Sequence, residues 1–173
     1  MVRPVTPLYA LALLAALSFA ETVELKQFPT DSLDQVSPRT GVKLDRAATV
    51  DSNGSIAIRA KKPQTYQILD AGDIDIEEAT LVFRAKMKTL RVSGSVFLEV
   101  VCVIPGLGRM SLQGLQYSLS GTNHWIDVEV RYPLRKGENP DSVKLNLVFD
   151  GDGKAWVDDV RLYREDLPEE PVQ

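Results

Sequence analysis

The stretch VKLNLVFDGDGKAWVDDVRLY, residues 143–163, decides the fold. Two runs in which apolar and polar residues alternate flank the turn Asp150–Gly153, whose letters DGDG favour a reversal of the chain. One face of the first run carries Val143, Leu145, Leu147 and Phe149. In the second run, alternate positions that would share one face are Trp156, Asp158, Val160 and Leu162. The pattern predicts a closing β-hairpin whose apolar rows face the core.

One carboxylate interrupts the apolar row of the second strand. Asp158 shares its parity with Trp156 and Val160, so strict alternation predicts that its side chain points inward. An ionised carboxylate in a protein interior is strongly unfavourable unless it is paired or hydrogen-bonded. We therefore expect Asp158 to be buried and to have compensating partners.

The first twenty residues have the pattern of a secretory signal peptide. Arg3 supplies a positive charge, residues 8–17 form an apolar run, and Ser18-Phe19-Ala20 offers small residues before a cleavage site between Ala20 and Glu21. The alternative is an uncleaved anchor, although the run is shorter than the about 20 residues that a spanning helix needs. The sequence therefore predicts a secreted or periplasmic protein without a stable membrane span.

Period-2 alternation recurs through the rest of the chain, and we interpret 73–78, where a helical turn would fit, as a loop. The predicted strands are 22–27, 41–44, 55–60, 66–69, 81–88, 96–104, 116–119, 125–132 and the two of the final hairpin. After Tyr163 the letters REDLPEEPVQ lack apolar content. We expect a signal peptide at 1–20, one all-β domain at 21–163, built as an antiparallel β-sandwich or jelly roll, and a disordered tail at 164–173.

The composition excludes several classes of function. The net charge of −4 opposes nucleic acid or an anionic membrane as the main partner. The one cysteine, Cys102, cannot form an intramolecular disulfide, and its parity with Val100 and Ile104 predicts a buried, unreactive thiol. The one histidine, His124, cannot form a histidine cluster for zinc, and no G-x-S-x-G elbow occurs.

Four segments together resemble a known family. GSIAIRA (54–60), ATLVFRAKMK (79–88), LSGTNHWIDVEVRY (119–132) and GDGKAWVDDVRL (151–162) are similar, in this order, to strands of jelly-roll modules with the galactose-binding-like fold. Many of these modules bind carbohydrate. The resemblance implies a galactose-binding-like jelly roll and a secreted, non-catalytic glycan-binding module.

The resemblance also implies a candidate metal site. In these relatives the first Asp of the terminal strand often helps to hold a structural calcium, and Asp158 matches that position. The N-terminal stretch VELKQFPTDSLDQV (23–36) departs from the N-G-x-F-E stretch that accompanies the calcium, although Asp31 and Asp34 would supply oxygens. The alternative is that Asp158 accepts hydrogen bonds from backbone N–H groups or from arginine. No other cofactor is expected.

The faces opposite the apolar rows carry a candidate carbohydrate-binding set. Sugars stack their C–H faces on aromatic rings, while their hydroxyls bond to carboxylates, guanidinium groups and amides. The candidate residues are Arg84, Lys86, Phe97, Glu99, Trp125, Asp127, Glu129, Lys144 and Asn146. The alternative is that these residues are simply the solvated faces of the sheets, paired by cross-strand charges.

Two classes of function remain open. The first is a glycan-binding module, which predicts aromatic rings exposed on one sheet or loop rim. The second is a non-catalytic extracytoplasmic β-sandwich for protein adhesion or envelope assembly, with an unidentified protein partner. That class predicts a flat apolar patch or unprotected strand edges. We expect no catalysis, because the nucleophile and metal signatures are missing, although a carboxylate pair for cleaving glycosides remains as an alternative.

The signal-peptide interpretation leads to a testable expectation. When the full chain is expressed in a secreting host, the protein in the secreted fraction should begin at Glu21, as read by N-terminal sequencing. A mature species that retains Met1 or Val2 would contradict cleavage and would favour an N-terminal anchor.

Overall fold

The computed structural model describes residues 22–51 and 53–167, and the signal-peptide segment 1–20 lies outside them. Within the described ranges, no helix is long and apolar enough to cross a membrane. The described strands are β1 (Thr22–Phe28), β2 (Val42–Asp45), β3 (Ser55–Ala60), β4 (Gln64–Gly72), β5 (Ala79–Ile104), β6 (Gly108–Gln113), β7 (Leu119–Leu134), β8 (Ser142–Phe149) and β9 (Gly153–Asp166). A single 3₁₀ turn, Leu115–Tyr117, precedes β7.

The strands are hydrogen-bonded in the antiparallel order β2-β3-β9-β5-β8-β4, with β1 beside β9 and with β6 and β7 beside β5. The first half of β5, residues 79–90, pairs with β9 and β7, whereas residues 96–104 pair with β8 and β6. We call β1, β2, β3, β7, β9 and the first half of β5 the first layer. We call β4, β6, β8 and the second half of β5 the second layer. This arrangement confirms the predicted all-β antiparallel fold.

The prediction of a closing hairpin is wrong, because β8 and β9 each pair with β5 instead of with each other. The turn between them carries the chain from the second layer to the first. The Asp150 carboxylate accepts hydrogen bonds from the backbone N–H and the hydroxyl of Ser95, and Ser93 N–H donates to Asp152 O at 2.8 Å. Glycine is required at 151, since a Cβ there would lie 1.7 Å from Ser93 O.

A β-bulge in β9 corrects the predicted parity of that strand. Lys86 pairs with Asp158 and Arg84 pairs with Arg161, so β9 has one residue more than β5 between these two pairs. Asp159 takes φ +49°, which Asp tolerates better than most residues. Before the bulge the odd-numbered residues Ala155 and Val157 face the core. After it the even-numbered residues Val160 and Leu162 face the core, because the extra residue shifts the alternation by one. Trp156 therefore lies on the outer face of the first layer.

The core lies between the two layers and is made of alternating residues from both. Phe28 and Phe83 meet with ring centroids 6.2 Å apart, and Tyr66 and Phe149 meet edge to face at 6.1 Å. The predicted core residues Phe83, Val100, Cys102, Val128, Val130, Leu145, Leu147 and Val160 are all buried. Burial raises the pKa of the Cys102 thiol to about 12, so this side chain is an unreactive member of the core.

Three further predictions from the sequence need correction. The runs 81–88 and 96–104 belong to one continuous strand, and the predicted strand at 116–119 is mainly the 3₁₀ turn. The predicted strands do not include β6, although residues 109–113 alternate between polar and apolar side chains. The start of the predicted tail is wrong, since Arg164–Asp166 belongs to β9 and pairs with β1 and β5, and residues 168–173 of that tail lie outside the described residues.

The core assignment predicts the effect of shortening one side chain. Leu147→Ala should lower the free energy of unfolding by about 2–5 kcal/mol in urea titrations, because it opens a cavity between the layers. Val148→Ala is the matched control, since Val148 faces outward from the same strand and is half-buried, and it should cost clearly less. Cys102 should react with a thiol reagent only after unfolding. Rapid labelling of the native protein would contradict this core.

Candidate functional site

The structure places the nine candidate carbohydrate-binding residues on two opposite faces, so they do not form one surface. Glu129 and Asp127 of β7 pair with Arg84 and Lys86 of β5, and this group, with the half-buried Trp125, lies on the outer face of the first layer. The other four candidates, Phe97, Glu99, Lys144 and Asn146, lie on the outer face of the second layer. Strand parity could not reveal this division, because one strand supplies residues to both layers.

A closed network of charges covers the centre of the first-layer face. Arg84 contacts Glu129 at 3.1 Å and Glu165 at 2.8 Å, while Arg131 contacts the second oxygen of each carboxylate. The bond to Glu165 raises the pKa of Arg131. The guanidinium of Arg84 also lies over the Tyr163 ring, 4.8 Å from its centroid. Both carboxylates therefore hold two cations each, and this network is better suited to structure than to ligand binding.

The same pairing continues toward the edges of this face. Lys86 contacts Asp127 at 2.5 Å, and Arg161 contacts Asp159 at 2.8 Å and Glu24 at 3.2 Å. These cross-strand pairs match the alternative interpretation of the candidate set as a solvated, mutually paired face.

The outer face of the second layer has a different character. A cross-strand row runs from Gln67 through Asn146 and Glu99 to Gln113, and the Asn146 side-chain N–H₂ donates to Glu99 at 2.9 Å. Sequence reasoning missed the two glutamines. Gln113 lies in β6, which was not predicted, and Gln67 lies in the predicted strand 66–69, whose pairing with β8 leaves no local pattern. One row of this face thus presents amide and carboxylate groups side by side.

The floor of the second-layer face is recessed. Phe97 is 5% exposed, Val101 2% and Asn146 5%, although all three point away from the core. Surrounding side chains screen them, among them Lys144, which contacts Asp70 at 3.3 Å. The expectation that Phe97 offers an exposed ring is therefore wrong. Its ring contributes apolar floor instead.

Asp158 is fully buried as predicted, but it pairs with Lys86 and lies on the outer side of β9 with Trp156, not on the predicted core side. Protein donors satisfy both of its oxygens. Oδ1 accepts from the Thr30 hydroxyl at 2.6 Å and from Asp159 N–H at 2.7 Å. Oδ2 accepts from the Thr49 hydroxyl at 3.0 Å and from Val50 N–H at 2.6 Å. The carboxylate therefore ties the loops that precede β2 and β3 to β9 at the bulge.

This donor set does not fit a calcium ion. Each oxygen of Asp158 faces one hydroxyl and one backbone N–H, and N–H groups cannot coordinate a cation. Among residues 22–51 and 53–167, no group of three or more His, Cys, Asp or Glu side chains is placed to hold a metal. The contacts favour the alternative in which Asp158 is compensated by hydrogen bonds.

Trp156 forms a further polar cluster that sequence reasoning missed, because strict alternation assigned Trp156 to the core. Its indole N–H donates to Asp45 at 2.9 Å and thereby lowers the pKa of that carboxyl to about 2. The ammonium groups of Lys154 and Lys88 lie 3.8 and 5.3 Å from the centroid of the ring. Two lysines therefore cover the indole on the outer face of the first layer.

No protein-family model matches this sequence. No curated protein matches it either. Solved structures do match. One match is to the chain of Clostridium thermocellum endo-1,4-β-D-xylanase 10B that contains the CBM22-1 and GH10 modules, complexed with xylohexaose (TM-score 0.63, 12% identity). That match covers 87% of this chain and 30% of the xylanase chain, so this protein spans less than a third of its length.

Two further matches are to isolated modules. The CBM22-1 xylan-binding domain from Paenibacillus barcinonensis Xyn10C has a TM-score of 0.59 and 13% identity over 86% of this chain and 95% of that chain. The module TmCBM61, complexed with β-1,4-galactotriose, has a TM-score of 0.53 and 13% identity over 79% and 92%. At these identities the similarity establishes the fold. The resemblance to carbohydrate-binding-module-like jelly rolls is thus confirmed at the level of architecture.

The environment of Asp158 predicts the effect of replacing it. In Asp158→Asn one oxygen becomes an N–H₂ group that faces a backbone N–H, so the free energy of unfolding should fall by about 1–3 kcal/mol. The melting temperature of the unsubstituted protein should be equal in chelator and in millimolar calcium. Asp159→Asn is the matched control, because asparagine tolerates positive φ and Arg161 keeps its contact with Glu24, so it should melt closer to the parent than Asp158→Asn does. A rise in melting temperature with calcium that Asp158→Asn removes would show that the carboxylate holds a cation.

Proposed function

We propose that this protein is an extracytoplasmic, non-catalytic glycan-binding module whose ligand lies on the outer face of the second layer. The observation that carries the proposal is the fold likeness, over most of the chain, to isolated domains that bind xylan and β-1,4-galactotriose. The signal-peptide pattern at 1–20 supports a location outside the cytoplasm.

The chemistry of the second-layer face supports this choice of surface. Glu99 engages Asn146 through one oxygen, and across the described residues its second oxygen and the Gln113 amide have no hydrogen-bond partner. Phe97 and Val101 lie on the same side of the sheet but are buried, so these polar groups are the accessible part of the face. Sugar hydroxyls require donors and acceptors of this kind. The charges at the centre of the first-layer face, in contrast, already satisfy one another.

Binding without catalysis agrees with the distribution of the carboxylates. Glycoside cleavage needs an acid and a base or nucleophile that flank one bond. On the first-layer face Glu129, Glu165 and Asp127 are each held by Arg or Lys. On the second-layer face Glu99 is the carboxylate at the centre, and Asp70 is paired with Lys144. We therefore assign this module to recognition.

The alternative function, adhesion to another protein, would use the β6 side of the second layer. Apolar residues are exposed there, with Leu107 at 55%, Met110 at 43% and Leu115 at 54%. However, β6 has six residues and carries Arg109, and short, charged edge strands are typical of protection against edge pairing. Self-association or capture of a protein through this edge is thus the less favoured function.

The proposed function is tested by affinity electrophoresis of the full chain in gels that contain soluble xylan or β-1,4-galactan. Retardation is expected. Asn146→Ala should weaken binding about tenfold, because one buried hydrogen-bonding group is worth about 1–1.5 kcal/mol. Gln113→Ala, which is exposed and should not disturb folding, should weaken binding in the same direction.

Asp127→Asn on the first-layer face is the matched control and should bind like the parent, since Asp127 is exposed and lies on the opposite layer. Equal binding by Asn146→Ala, Gln113→Ala and the parent would contradict the assigned face. Absence of retardation by any neutral glycan would contradict the function. Release of reducing sugar during incubation would contradict the non-catalytic assignment.

A further inference from the structure

The pairing of charges on the outer face of the first layer breaks down at one end. At the centre of this face and at its end near Thr22, four cations each have a carboxylate within 3.3 Å. They are Arg84, Arg131, Lys86 and Arg161. At the other end, around Trp156, four cations lie near one carboxylate, which is within ion-pair distance of two of them. These cations are Lys43, Arg59, Lys88 and Lys154, and the carboxylate is Asp45.

Strand register explains why these cations meet. One cross-strand row runs Lys43, Ala57, Trp156, Lys88 through β2, β3, β9 and β5. The adjacent row places Arg59 beside Lys154. Since residues two apart on a strand share a face, all four cations stand on the same side of the sheet. Three inter-strand spacings make the first row about 14 Å long, a length suited to more than one sugar ring.

The single carboxylate does not compensate this concentration of charge. Asp45 lies 4.0 Å from the Lys43 ammonium and 3.9 Å from that of Lys154, and it also accepts the Trp156 indole N–H. In the described part of the chain, Arg59 and Lys88 have no carboxylate within ion-pair distance. Burial, together with repulsion from Lys43, lowers the pKa of Lys154. Repelling cations held in place without counter-charges indicate a site that is completed by an anion.

Three clefts surround the cations and all are lined by Arg59. A cleft of about 370 Å³ is lined by Gly41, Val42, Lys43, Ala57, Arg59 and Lys154. A second cleft, of about 470 Å³, is also lined by Lys61 and Lys62. A third, of about 310 Å³, is also lined by Arg91 and by Asp152, the one carboxylate among the residues that line the three clefts. Together their walls hold six cations and one carboxylate. The first two clefts meet at Gly41, where a Cβ would lie 2.4 Å from Arg59 O, so only glycine brings this loop against β3.

We propose that these clefts form a second glycan site, specific for a sugar chain that carries carboxylate or sulfate groups. The proposal rests on the proposed glycan-binding function only for the class of ligand. The site lies at the β2–β3 end of the first-layer face, and Gln64 and Tyr66 of β4 line one of its clefts. The cations bind the anionic groups, while the hydroxyl of Thr40 and the amide of Gln64 line the same cleft and offer partners for sugar hydroxyls.

A densely charged polyanion such as nucleic acid fits the molecule less well. The chain carries a net charge of −4, so the positive surface is local and the rest of the protein repels a long polyphosphate. Trp156 is 7% exposed and covered by two lysines, so its ring is not open for a base to stack on. The described ends of the chain, Thr22 and Leu167, lie near the far end of β9, roughly 30 Å from Trp156 at about 3.3 Å per residue.

The experiment measures binding of the full chain to polygalacturonate, to dextran sulfate and to unmodified dextran by isothermal titration calorimetry at two salt concentrations. Binding to at least one acidic polymer is expected, and it should weaken by about tenfold or more between 50 and 300 mM salt. The arm that binds identifies carboxylate or sulfate as the recognised group. Dextran should not bind at this site.

The double substitution Lys43→Gln with Arg59→Gln should weaken acidic-polymer binding about tenfold or more, since both residues are exposed and line the shared cleft. Arg135→Gln with Lys136→Gln removes the same charge from an exposed loop and is the matched control, with a change of less than about twofold. The melting temperatures of both double variants should stay near that of the parent.

Three outcomes would overturn this site. They are no binding to either acidic polymer at low salt, equal losses in the two double variants, and binding of single-stranded DNA as tightly as the acidic polymer with the same dependence on Lys43 and Arg59. Its failure is distinguishable from failure of the proposed function. Xylan or galactan binding that depends on Asn146 tests the second layer, and acidic-polymer binding that depends on Arg59 tests the first.

Discussion

The shared strand β5 is the constraint on which the rest of the structure depends. Its first half pairs with β9 and β7 and its second half with β8 and β6, so the two layers cannot separate without breaking one strand. The turn at Asp150–Gly153 is clamped against the point where β5 changes layers, through Ser93 and Ser95. The clamp therefore ties the connection between β8 and β9 to the crossover of β5, and the core side chains lie between the two layers.

The second constraint is the buried carboxylate of Asp158. The bulge at Asp159 turns the carboxylate toward Thr30, Thr49 and Val50, which lie in the loops that precede β2 and β3. A charge in this position is tolerable only while those donors are present, because its desolvation is otherwise uncompensated. The carboxylate therefore orders two irregular segments around the start of the domain, a task for which a metal ion is not needed.

The two outer faces use the same residue types for different purposes. On the first layer, Arg84, Arg131, Glu129 and Glu165 neutralise one another and leave a stable, solvated sheet. On the second layer, Glu99 and Asn146 form a row that holds no cation and has hydrogen-bonding capacity to spare. Around Trp156 cations exceed carboxylates, although the chain as a whole is acidic. Whether a polar face is structural or open to a ligand depends on this local balance and not on composition.

The sequence by itself determined the all-β class, most strand positions and the core rows, because period-2 alternation directly reflects which face of a strand is buried. It also predicted the burial of Asp158 and the inert state of Cys102. Only the tertiary structure decided which strands are neighbours, because hydrogen bonds between distant segments leave no local pattern. For that reason the nine candidate residues divided between two layers and β8 did not pair with β9. One extra residue in a bulge likewise moved Trp156 from the predicted core to the outer face, since a shift of one residue reverses every side chain of a strand.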